Sequence, residues 1–412
     1  MEHIIFKHIS SFLEEHNLVE SRQHGFRRGV STVTQLIEAV HDFAAALDKQ
    51  SQIDIIFLDF EKAFDCVSHP KLLLKLRTIL KNDTLLAWIA AYLSCRGQCV
   101  GIDGVCSSYM FVQSGVPQGS VLGPLFFLVF INDIVSVVPV KIKLFADDCI
   151  IYQEIKNSND QSQLNFSLAQ IENWCSTWQM KIHRKKTVTM TVTRKRKPLL
   201  FPYSVNGHPL SSVKSCKYLG VIITSDLRWN EHVSYITKKA MQKLGYMRRT
   251  RRNSTQEIKL LAFKTFIRPV PEYASVVWDP CTQLNIAKLE SIQKKAARFI
   301  YNSYSWRTSA TALVEKPNLE PLQLRRYFER MKYMHLLYNS KLGIDSSIYI
   351  EHVIRRCTRS NHSKKLKEYM CRTDTFQNSF FPRTVRQWNA LPCDAVECPT
   401  VESFLSKLKC IS

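Results

Sequence analysis

Residues Lys143–Tyr152 read KLFADDCIIY, with the adjacent acids Asp147 and Asp148 set between Phe145-Ala146 and the apolar run Cys149-Ile150-Ile151-Tyr152. A buried carboxylate without a partner costs several kcal/mol, and neighbouring carboxylates raise each other's pKa. Two readings follow. Ala-Asp-Asp between two short apolar strands is a solvated hairpin tip, because Asp suits turns. Alternatively, a hard divalent cation that prefers carboxylate oxygens neutralises the pair. The second reading needs more oxygen ligands than one turn supplies, so it requires another acid in a similar setting.

Asp59 meets that requirement. It closes the apolar strand IDIIFLDF (residues 53–60), an acid where the pattern predicts burial. Asp59, Asp147 and Asp148 would bring carboxylates from two strands, and the Phe60 carbonyl would add a further hard oxygen. Two cations held this way suit an in-line displacement at phosphorus. Strand alternation turns Asp148 away from the face of Asp147, so Asp59 and Asp147 rank as main ligands and Asp148 as accessory.

The 412 residues are 45% hydrophobic, enough for a sizeable core and more than one domain. Lys and Arg number 57 against 35 acids, a net charge of +22 that points to a polyanionic partner. The charge is clustered. KIHRKKTVTMTVTRKRK (residues 181–197) contains no acid, and residues 238–268 set ten Lys or Arg against Glu257. The thirteen cysteines show no framework and read as reduced thiols. The Cys393–Cys398 spacing lacks the partners of a zinc site. No secretion signal is seen, and the apolar run 121–131 is too short for a bilayer, so a soluble intracellular protein, nuclear or cytoplasmic, is expected.

Helical periodicity covers residues 4–13, and a second helix follows a Ser31 cap, with the polar loop SRQHGFRRGV between them. Pro70 opens a helix after the Asp59 strand, and residues 85–95 are helical. Hairpin strands are expected over 97–113, and a Gly/Pro loop leads into an apolar helix after residue 121. An amphipathic helix is expected over 160–180, then strands at 188–192 and in KYLGVIITSD. From Glu231 the chain is mainly helical. The class is α+β, with one sheet backed by helices and a helical second half.

FLDFEKAFDCVSH, SGVPQGSVLGPLFFLVFINDI and FADDCIIY, in that order, resemble the three palm motifs of reverse transcriptases, closely those of jockey-like non-LTR retrotransposons. QHGFRRGVSTVTQL is similar to the family's finger segment, MKIHRKKT to the motif after the palm acids, and CKYLGVIITSDLRWNEHV to the primer grip. RPVPEYASVVWDP, LESIQKKAARFI and SFFPRTVRQWNALP resemble the region beyond the thumb.

The resemblance implies an RNA-directed DNA polymerase of right-hand architecture with an antiparallel palm sheet. Partial fingers and palm would occupy residues 1–225, a helical thumb 226–280 and a helical C-terminal region 281–412. It implies two Mg²⁺ ions, or Mn²⁺, on Asp59, Phe60, Asp147 and Asp148, and an RNA template, a DNA primer and deoxynucleotides as partners. Phe64 would exclude a 2′-hydroxyl, Gln118 and Gly119 would touch nucleotide and template, and Arg27 or Arg28 would hold the triphosphate. Lys186 would protonate pyrophosphate, and Tyr218, Leu219 and Gly220 would hold the primer end. Lys238, Lys239, Arg248, Arg249, Arg251 and Arg252 would grip the duplex, with Leu244, Tyr246 and Met247 packing inward. For Phe64, Arg27, Arg28, Lys186 and the basic face, ordinary core or solvated roles are the competing readings.

The sequence departs from the family at His183, which replaces Asn, and at Pro271, which implies a changed local helix. Met1 falls inside the finger region, which implies N-terminal truncation without the upstream endonuclease. No RNase H carboxylate set follows. A remnant that binds nucleic acid without polymerising is the alternative function.

Overall fold

Gln52–Leu58 is a strand buried along its whole length, as its unbroken apolar run requires of a strand covered on both faces. The computed structural model describes residues 1–317, 319–353 and 362–411. This strand lies at the centre of a five-stranded sheet. The spatial order is Ser211–Ser212, Val188–Thr193, Gln52–Leu58, Asp148–Ile155 and Lys141–Phe145. All neighbours are antiparallel except the two-residue edge strand Ser211–Ser212.

Close packing divides the chain into two units, residues 1–35 with 51–214, and residues 36–50 with 215–412. In the first unit the sheet is covered by helices Ser158–Trp178, His69–Leu80 and Leu122–Ile131, whose apolar residues share one core with Ile56, Leu58 and Ile151. Asn157 caps the long helix in a capping box with Asp160, and Leu164, Leu168, Ile171 and Trp174 form its buried stripe. Gly/Pro residues 114–119 precede the apolar helix, as expected, and short two-residue strands occupy 97–111.

Asp54 is a buried acid on the central strand, 2% exposed. Its carboxylate accepts hydrogen bonds from Gln52 Nε2 (2.9 Å), Gln161 Nε2 (3.1 Å) and Tyr203 hydroxyl (2.7 Å). The full set of donors compensates its burial. Lys75 is likewise buried, bonded to the Phe130 carbonyl and Asp133, with the Trp178 ring 3.7 Å from its Nζ. Burial pulls its pKa down to about 8 against the opposing pull of Asp133.

In the second unit Ser215–Tyr218 and Val221–Thr224 form a hairpin, which puts strand structure in KYLGVIITSD. Helix Asn230–Thr250 buries Val233, Ile236, Ala240, Leu244 and Met247 and packs against Gln283–Ile300. A π-turn at Phe263–Ile267 precedes the short helix Pro269–Glu272. The Pro269 ring would crowd the carbonyl four residues back, and the wider turn relieves that crowding. Pro271 lies within this short helix and is buried. Residues 36–48 belong here because Asp48 Oδ1 accepts from Arg372 N (2.8 Å) and Thr373 N (2.7 Å), and because His41 meets the rings of Tyr349, Tyr369, Phe376 and Phe381. The described cysteines are free thiols. Among the described residues no helix is long and apolar enough to cross a membrane.

Asp279, 7% exposed, holds three arginines in this unit: Arg326 Nε at 2.6 Å, Arg330 Nη1, and Arg383 Nη1 at 3.2 Å. Removing the one acid would strand buried positive charge. Asp279→Ala is therefore expected to cost roughly 3–5 kcal/mol, read as a lower urea midpoint; an unchanged midpoint would show that the cluster does not support the unit.

Candidate active site

The register that sets Leu58 opposite Cys149 brings Asp59 level with Asp148. Phe145 pairs with Asp148, so Ala146 and Asp147 are the two-residue turn of the hairpin. The segment is thus a hairpin tip and a carboxylate cluster at once. Strand alternation does not govern Asp147, because it sits in the turn, and the ranking of Asp147 over Asp148 drawn from alternation loses its basis.

The three acids feel each other. Burial raises the Asp147 carboxyl, opposed by its own backbone N–H and aided by the charge of Asp59. Asp148 keeps solvent contact, yet partial burial, then Asp147, then Asp59 push it up to about 6. Asp59 Oδ2 is buried and has no hydrogen-bond partner; its counter-charge is Lys186 Nζ at 3.6 Å. This contrasts with Asp54 on the same strand, which has three donors. Among the described residues no three acidic, His or Cys side chains already stand as a metal-ligand set. The orphaned Asp59 oxygen and the mutual repulsion of the carboxylates nevertheless fit a divalent cation, which would supply the missing partner.

Lys186 is placed by the turn that follows Met180. Phe60 pairs with Ile182, and the flanking bonds are Glu61 N to Lys181 O (2.8 Å) and His183 N to Asp59 O (2.7 Å). This pattern leaves the Phe60 carbonyl unused by the pair. His183 O accepts from Lys186 N (3.1 Å) and Thr187 N (3.0 Å), and Thr187 Oγ1 accepts from Asp59 N (3.3 Å). The turn therefore forms with His183 in place of Asn.

Phe64 is half-buried and stacked on Phe127, with ring centroids 4.3 Å apart, and meets the edge of Phe26. Gln118 is exposed, and its Nε2 donates to Asp65 Oδ1 (2.9 Å). Gly119 has φ +82°, and a Cβ there would meet open space. Arg27 spends its Nη1 on the carbonyls of Glu20 (2.8 Å) and Gln23 (3.2 Å), so it braces its own loop, while Arg28 is exposed.

The decisive part of that loop is one the sequence reading passed over. Gln23 is fully buried; its Oε1 accepts from Gly25 N (2.7 Å) and Ala146 N (3.0 Å). His24 N donates to Leu144 O (2.8 Å), and Leu144 N to Arg22 O (3.0 Å). Ala146 stands at φ +54°, a left-handed conformation that side chains other than glycine rarely adopt. A Cβ on Gly25 would lie 2.3 Å from Ala146 N. The signal was present in QHGFRRG: a Gln and a Gly next to the arginines.

The remaining residues lie in the second unit. Leu219 and Gly220, at φ +44° and +82°, form a two-residue turn closed by Tyr218 and Val221. Two positive φ values match the twist of the strands, and Gly suits the second position. Tyr273 hydroxyl donates to Leu219 O (2.9 Å), and a Cβ on Gly220 would strike its ring at 2.9 Å. Lys238, Lys239, Arg249, Arg251 and Arg252 are exposed. Arg248 is half-buried, bonded to Lys295 O (3.4 Å) and stacked over Tyr304. Leu244 and Met247 pack inward, but Tyr246 does not: it is 61% exposed, because it falls off the stripe that Val233, Ile236, Ala240, Leu244 and Met247 define.

The profile described as reverse transcriptase (RNA-dependent DNA polymerase) matches residues 1–223. The chain is 26% identical over 360 residues to the probable RNA-directed DNA polymerase from transposon BS of Drosophila melanogaster, covering 83% of this chain and 40% of that one. It is 28% identical over 314 residues to the RNA-directed DNA polymerase from mobile element jockey of Drosophila funebris, covering 73% and 34%. The chain thus spans about two fifths or less of the length of these curated relatives. Among solved structures, apo telomerase from Candida tropicalis aligns with a TM-score of 0.44 at 12% identity, over 84% of this chain and 55% of that one.

Gly25→Ala should displace the turn that carries Asp147 and lower primer extension on an RNA template by about a hundredfold. Gly101→Ala, where the nearest atom is Cys106 Sγ at 3.7 Å, should leave extension unchanged. Equal activities in a side-by-side assay would remove the clamp from the site.

Proposed function

Because the chain belongs to the reverse transcriptase (RNA-dependent DNA polymerase) family, we propose that it is the RNA-directed DNA polymerase of a jockey-like non-LTR retrotransposon. It extends a DNA primer on an RNA template with deoxynucleoside triphosphates. The observation that carries this reading is the contrast on one strand between Asp54, whose carboxylate has three donors, and Asp59, whose buried oxygen has none and faces two further acids. A structural acid is satisfied from within; an acid kept short of partners is kept for a ligand.

Asp59, Asp147 and Asp148, with the Phe60 carbonyl, would hold two Mg²⁺ or Mn²⁺ ions, which when bound neutralise charge on the attacking and leaving oxygens. The primer 3′-hydroxyl gives its proton to solvent water, and its oxygen bonds to the α-phosphorus as the bond to the bridging oxygen breaks. Pyrophosphate leaves with that electron pair, and Lys186, which pairs with Asp59, gives it a proton in this reading. Phe64, fixed by stacking on Phe127, limits room at the sugar. Gln118 and the open backbone at Gly119 meet the nucleotide, and Arg28 supplies the triphosphate's cation while Arg27 braces the loop. Tyr218, Leu219 and Gly220 hold the primer end.

The architecture in this reading is a right hand, with fingers and palm through residue 225, a thumb over 226–280 and a helical region to 412. The exposed cations Lys238, Lys239, Arg249, Arg251 and Arg252, with Arg248, face nucleic-acid phosphates.

Asp147→Asn should abolish extension while leaving the thermal midpoint unchanged or raised, since it removes one of three like charges. A mutant that extends as well as the parent would sink the assignment. Phe64→Val should admit ribonucleotides in an otherwise active chain; unchanged discrimination, measured by single-nucleotide incorporation, takes Phe64 out of the sugar contact.

A further inference from the structure

Between helix Asn230–Thr250 and the segment Gln256–Ile267 lies a groove of about 470 Å³ lined by Gln242, Lys243, Tyr246, Met247, Phe266 and Arg251 among others. Tyr246 is 61% exposed and Phe266 59%, so two aromatic rings stand in solvent on one groove. On the same helix Val233, Ile236, Ala240, Leu244 and Met247 are buried. Phe266 lies in the π-turn forced by Pro269, and Lys243 Nζ donates to its carbonyl (3.0 Å), which fixes the two segments to each other at the groove. π-Turns within helices are frequent at functional sites. The rim is cationic: of the ten Lys or Arg in residues 238–268, Lys243 and Arg251 line the groove, and Glu257 is the acid of that stretch. Lys259, one of the ten, is buried under Phe299 and is not part of the rim.

We propose that this groove binds an unpaired nucleic-acid strand, its bases stacked on Tyr246 and Phe266 and its phosphates paired with Lys243 and Arg251. This rests on the polymerase reading for the presence of such a strand, but not for its binding. A duplex hides the faces of its bases, so it can use the cations and not the rings. A single strand can use both, and stacking is indifferent to sequence because every base has a π-face. The charge complementarity of the rim favours a polyanion over an apolar peptide.

The test measures anisotropy of a short labelled oligothymidylate and of a hairpin duplex of equal charge on the full chain, without metal or nucleotide, across a salt series. Tyr246→Ala with Phe266→Ala should weaken the oligothymidylate by about tenfold or more while keeping its salt slope, since no phosphate contact is lost. Duplex affinity should not change. Tyr246→Leu with Phe266→Leu, which keeps apolar area but no ring, should weaken it as well. An oligothymidylate carrying 5-iodouracil should crosslink to Tyr246 or Phe266 in the unaltered chain. The proposal is overturned if the leucine pair binds as the parent does, if duplex and single strand weaken together, if no crosslink reaches either ring, or if a polyglutamate of matched charge competes as well as oligothymidylate. A chain that passes these tests but does not extend a primer fails the polymerase reading alone; one that extends but whose aromatic variants bind normally fails this inference alone.

Discussion

The pairing of Gln52–Leu58 with Asp148–Ile155 is the constraint on which the rest of the first unit depends. Because the central strand is bonded on both sides and covered on both faces, its register cannot slip without carrying every apolar side chain to the wrong face. That rigidity places Asp59 level with Asp148 and keeps it there against the repulsion of three neighbouring carboxylates. The same strand shows what ordinary burial of an acid requires. Asp54 has Gln52, Gln161 and Tyr203 drawn around it from three parts of the chain. Asp59 has a lysine at 3.6 Å and a bare oxygen.

Holding two acids at a tight turn also needs a local device. Ala146 adopts a left-handed conformation that is unfavourable for a side chain, and a turn of this kind persists only when its surroundings determine it. Gln23 provides that determination: one buried oxygen receives the N–H of Gly25 and that of Ala146, so the loop before Thr32 and the hairpin that carries Asp147 share one acceptor. The absence of a side chain at Gly25 is then a condition of the site's geometry. The turn after Met180 does the same for Asp59 and Lys186 through backbone bonds, which explains why it tolerates His183.

In the second unit the same residue type has two fates. Arg326 and Arg330 are almost wholly buried on Asp279, and burial is the main force lowering their pKa values, Arg326 to about 10. Arg249, Arg251 and Arg252 lie exposed on and after a helix whose other face is apolar. Composition counts them alike. The first group is a cost of folding offset by one acid, and the second is free for a polyanion.

The sequence by itself determined the element types, because burial leaves periodic traces: the unbroken run before Asp59, the apolar stripe of residues 164–174, the Pro70 helix start. It also marked the three carboxylates as candidates, since an acid inside an apolar strand breaks a local pattern that can be seen one residue at a time. It could not separate Asp54 from Asp59, because both break the same pattern and only distant donors distinguish them. Nor could it find Gln23, whose importance lies in an acceptor reaching across 123 residues to Ala146, or rank Asp147 and Asp148, which required knowing where the strand ends and the turn begins. Tyr246 was misread for a similar reason: helical spacing gives a stripe, but its edge is set by the helix packed against it. Tertiary structure decided these points because hydrogen-bond satisfaction and solvent exposure are properties of neighbours in space, and the chain lists only neighbours in order.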